Sequence, residues 1–155
     1  MLRTILIASH AASGIVAFGF GCKGLRPRAP GVSSTVRLYI GALWLMVLLL
    51  LIVVAIDWMT IGLTSRLIFG ALSLFALFIG WRGWQAFEVL RRRVPDGRGA
   101  YIESVGFTLI ALFDGFVIIG ALDLGAPTWF VVAIGVLGIV VGRYALSRVR
   151  TGVAA

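Results

Sequence analysis

Residues 45–54 read Leu45-Met46-Val47-Leu48-Leu49-Leu50-Leu51-Ile52-Val53-Val54, ten apolar side chains in succession with no polar residue among them. A helix built from such a segment is hydrophobic all round, which fits a bilayer or the middle of a large core. The segment lies within a longer apolar run over about 36–57, closed by Asp57 and Trp58. A helix rises about 1.5 Å per residue and a hydrocarbon core is about 30 Å thick, so about 20 residues cross it. Run two has that length, and so do runs over about 4–22, 66–88, 102–123 and 128–146. The expectation is a single all-α domain over 1–155, an integral membrane bundle of five transmembrane helices.

Composition agrees. The chain is 61% hydrophobic and 13% charged, whereas a soluble domain carries about 25% charged residues, and its mean hydropathy is +1.08. In a soluble protein the net charge of +8 would raise nucleic-acid binding as a reading. Here the basic residues border apolar runs, so membrane orientation and anionic lipid headgroups are the better account, and no nucleic-acid partner is expected.

Twelve of the fourteen basic residues fall in alternate gaps. Lys23, Arg26, Arg28 and Arg37 lie between runs one and two, and Arg82, Arg91, Arg92, Arg93 and Arg98 at the end of run three and beyond it. Arg143, Arg148 and Arg150 lie at the end of run five and after it; only Arg3 and Arg66 fall elsewhere. Cytoplasmic loops retain Lys and Arg, so the pattern predicts the N-terminus outside, the C-terminus in the cytoplasm and residence in the cell inner membrane. The stretch Ile5-Leu6-Ile7-Ala8 is too short for the core of a signal peptide, and the basic cluster follows the span rather than preceding it, so the first helix is expected in the mature protein.

Stripes of small residues predict the packing faces. Helix one carries Ser9, Ser13, Ala17 and Gly21, helix three Gly70, Ser73 and Gly80, and helix five Gly135, Gly138 and Gly142. Such faces let helix backbones approach closely in lipid, within one chain or between copies or partner proteins. Helix two lacks a small or polar face and reads as peripheral. Tyr39, Tyr101, Tyr144, Trp81 and Trp84 fall at predicted cytoplasmic helix ends and Trp58 and Trp129 at outer ends, as two aromatic belts require.

Ionisable groups inside spans are candidate sites because a bilayer makes them expensive. His10 lies roughly 9 Å and Asp114 roughly 14 Å below the outer helix ends, counted at 1.5 Å per residue. If helices one and four are neighbours the two can meet as a proton-titrating pair; otherwise each satisfies a carbonyl, a hydroxyl such as Ser13 or Thr108, or water. Arg82, between Trp81 and Trp84, can snorkel, pair with Glu88 or Glu103, or join Arg91, Arg92 and Arg93 in an anionic-lipid site.

The counts narrow the chemistry further. One His cannot ligate haem from both sides within a chain, Cys22 is the only cysteine, and there is no phosphate loop, HExxH or GxSxG. No metal, cofactor or catalytic residue is therefore expected. The leading reading is a non-enzymatic accessory or interaction subunit. The alternatives are a small proton-coupled transporter or channel using His10 and Asp114, and a haem- or quinone-binding redox component sharing His10 across an oligomer.

Ser9-His10 followed by Ala12, Gly14 and Ala17, then Arg37-Leu38-Tyr39 opening a long apolar helix, and Gly80-Trp81-Arg82-Gly83-Trp84-Gln85-Ala86 at the end of a later one, resemble a family of small bacterial polytopic membrane proteins of unknown function. The likeness covers about residues 1–90 and implies an architecture, with His10 as a candidate site and no activity. The chain departs from the pattern where a His is expected before the first basic loop and Arg26-Pro27-Arg28 stands instead.

Overall fold

A computed structural model describes residues 1–25, 32–95 and 97–154; Arg26, Pro27, Arg28 and Pro30 lie outside them. The described residues form five α-helices and no strand: α1 (Leu2–Gly24), α2 (Ser34–Asp57), α3 (Leu63–Arg91), α4 (Gly97–Asp123) and α5 (Thr128–Ala154). Among them α1, α2, α3 and α4, the last over Gly97–Ala121, are long and apolar enough to cross a membrane. The helices outrun the apolar runs at several ends, α4 beginning five residues early and α5 continuing eight residues late. Hydropathy marks where a chain leaves hydrocarbon, and nothing in the arginine-bearing ends stops a helix there.

The local signals at helix ends are few. The Ser33 hydroxyl caps α2, accepting from Val36 N–H at 3.4 Å. At the end of α3, Val94 N–H donates to Val89 O and Arg93 N–H to Leu90 O, with Arg93 in the left-handed region at φ 49°. This crossed pair of bonds normally places a glycine where Arg93 stands.

Neighbouring helices run antiparallel in a steady register. Between α1 and α2, Gly21 faces Tyr39, Gly14 faces Met46 and Arg3 meets Asp57. Gly83 of α3 receives Leu43, and Gly80 and Gly70 receive Trp44 and Trp58 of α2. Gly24, Gly21 and Gly14 of α1 face Tyr101, Leu109 and Phe116 of α4. The four helices α1 to α4 thus close into a ring. Helix α5 packs on α4 alone among the described elements, with Leu146, Gly142, Gly138 and Gly135 opposite Gly106, Ile110, Asp114 and Ile118.

Helix α2 is not peripheral. It buries Val36, Tyr39, Ile40, Leu43, Met46, Val47 and Val54, the seam of a packed helix, while Leu38, Leu45, Leu48 and Ile52 face outward. Its large side chains are the knobs that fill glycine hollows on α1 and α3, so a helix without a small-residue stripe of its own is drawn into the core by its neighbours'. The tyrosines need a similar correction. Tyr39 and Tyr101 stand at the expected level but are buried, the Tyr39 hydroxyl bonding to the Thr108 hydroxyl and Tyr101 donating to Gly24 O at 3.4 Å. Cys22 is exposed.

Candidate functional site

The α4–α5 seam is a row of side chains seated on glycines, and one of them is a carboxylate. Ile118, Asp114 and Ile110 project from α4 onto Gly135, Gly138 and Gly142; a methyl at Gly138 would overlap the carboxylate and stand 2.9 Å from Asp114 Cγ. Asp114 is 9% exposed, and its Oδ1 accepts no hydrogen bond. A buried acceptor left unmet costs about 1–3 kcal/mol, more when charged. The hydroxyls that might have served it are taken: Ser13 donates to Ser9 O at 2.7 Å, and Thr108 bonds to Tyr39 and to Val105 O.

His10 is engaged on another side. Its Nδ1 lies 2.8 Å from Met46 O of α2, so the ring satisfies a backbone carbonyl across the α1–α2 interface. The helices bearing His10 and Asp114 are neighbours, yet the two side chains are not brought together. From the level where Gly14 meets Phe116, His10 lies four residues, about 6 Å, toward the amino-terminal end. Asp114 lies two residues, about 3 Å, the other way. One side chain turns to α2 and the other to α5.

Below Asp114 a groove of about 240 Å³ runs between α1, α4 and α5, lined by Phe18 and Leu25, by Leu109, Ile110 and Phe113, and by Gly138, Gly142 and Leu146 among others. Sequence reading missed it because it depends on which helix faces are left uncovered where α5 rests on α4 only. Among the described residues no three His, Cys, Asp or Glu side chains stand together as a metal site.

The basic end carries a second cluster. Glu88 Oε1 accepts from Arg91 Nη2 at 2.8 Å and Arg92 Nε at 2.7 Å, so Glu88 pairs with the arginines beyond it rather than with Arg82. Arg82 instead donates to Gln85 Oε1 at 3.2 Å and lies over the Phe107 ring of α4, 5.7 Å from its centroid. Phe107 in turn meets Phe78 edge-on at 5.6 Å, and Phe78 meets Trp81 at 5.8 Å. Arg93 is taken up in ending α3, and Glu103 is exposed near the start of α4. The sequence brought Arg82 and its tryptophans to notice but not the Phe107 platform, which needs the α3–α4 register.

No protein-family model matches this chain, and neither a curated protein nor a solved structure does.

Proposed function

We propose that this chain is an integral protein of the cell inner membrane that crosses it five times, with its N-terminus outside and its C-terminus in the cytoplasm, and works as a non-enzymatic interaction subunit. A fifth crossing is supported by the α4–α5 register, in which the stretch of α5 from Gly135 to Leu146, about 16 Å, lies in step against α4, itself long and apolar enough to span. The orientation is supported by the basic residues gathered at one end of the bundle. The two at the other end are held there, Arg3 by Asp57 at 2.8 Å and Arg66 by the carbonyls of Ile61 and Met59 at 3.0 and 3.4 Å.

The observation that carries the interaction role is the attachment of α5 along a single seam. Helices α1 to α4 cover one another in a ring, while α5 leaves Val132, Val136, Leu137, Ile139 and Val140 uncovered on its outer side. A helix so placed is free to pack against a second copy or another membrane helix. With Cys22 replaced by Ala, a cysteine at Ile139 should cross-link the chain to a copy or partner in native membranes. A chain that stays monomeric at every loading removes this reading, and termini labelled from the same side of sealed vesicles remove the five crossings.

The unmet Oδ1 of Asp114 favours a second reading, a small proton-coupled transporter or channel. It would run on Asp114, with His10 of α1 held apart by its bond to Met46 O of α2. Proton-dependent flux in proteoliposomes that Asp114→Asn abolishes would establish it, and a leak unaffected by that change would exclude it.

A further inference from the structure

We propose that Arg82 holds the phosphate of an anionic phospholipid on the α3–α4 face of the bundle. The inference rests on the membrane reading above and on nothing in the interaction role. Arg82 lies nineteen residues along α3 from Leu63, about 28 Å, which is the depth at which a core of about 30 Å gives way to headgroups. A charge at that boundary calls for a counter-charge. Both groups that Arg82 touches are neutral, the amide of Gln85 and the ring of Phe107, and no ion pair joins it to a carboxylate among the described residues.

The geometry leaves the right atoms open. A guanidinium has five N–H donors in one plane, and a single one is given to Gln85. Phe107 supports the cation through its face, which leaves the remaining edge for the paired oxygens of a phosphate. Trp81, 51% exposed beside it, places an indole at the depth where such rings sit among headgroups. Arg91 and Arg92, about two and a half to three turns further out, are already bound to Glu88. The built site is therefore Arg82, oriented by Gln85 and Phe107, rather than the more conspicuous arginine run.

Native mass spectrometry of the full chain released from nanodiscs tests this, with phosphatidylglycerol and phosphatidylcholine supplied in equal amounts. The expected result is one retained phosphatidylglycerol in preference to phosphatidylcholine. Arg82→Gln should weaken that retention at least about tenfold, what loss of a charge-assisted hydrogen bond is worth, and Arg82→Lys should weaken it less. Arg91→Gln should leave it within about twofold, since a screened rim charge contributes little. Equal retention by Arg82→Gln and the parent overturns the proposal, as does an equal loss in Arg91→Gln. Displacement by millimolar inorganic phosphate overturns the lipid and leaves a simple anion site. A chain that does not enter nanodiscs at all refutes the membrane reading itself, a distinguishable failure.

Discussion

Gly19 and Gly21 lie two residues apart on α1, and the same substitution should stabilise at Gly19 and not at Gly21. A Cβ at Gly19 has nothing within 4 Å. Gly19→Ala therefore gains only helix propensity, about 1 kcal/mol. A Cβ at Gly21 would stand 2.7 Å from Leu109 Cδ2 and 3.2 Å from Tyr39 Cδ2 and Cε2, where carbons rest at about 3.5–4.0 Å. Leu109 would have to retreat by nearly an ångström toward the groove it lines, and the buried Tyr39 cannot swing away without releasing Thr108. Overpacking of this kind costs about 1–3 kcal/mol. Both variants share the propensity gain, so their difference isolates the packing: Gly21→Ala should be less stable than Gly19→Ala by about 1–3 kcal/mol. Titration of the folded chain with dodecyl sulfate in mixed micelles, followed by tryptophan fluorescence, measures the difference directly. If both variants move together, or Gly21→Ala is the more stable, the α1–α2–α4 junction does not close on Gly21.

The other expectations use the same titration. Tyr39→Phe should lose about 1 kcal/mol, the ordinary worth of a buried hydrogen bond, and the loss should largely vanish in a Thr108→Val background. Arg93→Gly should gain about 1 kcal/mol, because the left-handed backbone at φ 49° suits glycine and strains arginine; a loss would mean that the arginine side chain holds the α3 end. Gly138→Ala should destabilise the α4–α5 seam by about 1–3 kcal/mol and cost much less once Asp114→Ala has opened the space, a coupling that additive losses would disprove. Breaking Arg3–Asp57 by Arg3→Gln should cost under about 1 kcal/mol and less in high salt, since Arg3 is 66% exposed.

The helices were legible because each carries its own length of apolar residues, and the close-packed faces of α1 and α5 were legible because small residues at three- and four-residue spacing mark them. Ser13, Ala17 and Gly21 are buried as that spacing requires, with Ser9 half-buried, and Gly138 and Gly142 pack within the chain. What the sequence concealed is complementary to this. A small-residue face is a hollow, and nothing in it says which large side chains fill it, so α2, made of Leu, Val and Ile all round, reads as lipid-facing although Tyr39, Leu43 and Met46 are the knobs. The same gap left open whether His10 and Asp114 meet. Depth along each helix can be counted from the sequence, but the direction each side chain faces is set by which neighbour stands at that azimuth, α2 for His10 and α5 for Asp114.

That gap also bears on what Asp114 is for. Of the three α4 side chains seated on the glycines of α5, two are isoleucines, and van der Waals contact explains them fully. A carboxylate in the third place adds no hydrogen bond through Oδ1 and carries the insertion penalty of an ionisable group, about 2.5–3.5 kcal/mol at a helix centre. An apolar side chain of similar size would hold the seam as well. Packing alone does not account for an acid in this seam; under the proton-coupled reading proposed above it would exchange a proton, and a partner's donor or a shift of α5 would be the other ways to compensate it. The single-seam attachment of that helix is what would let any of these reach it.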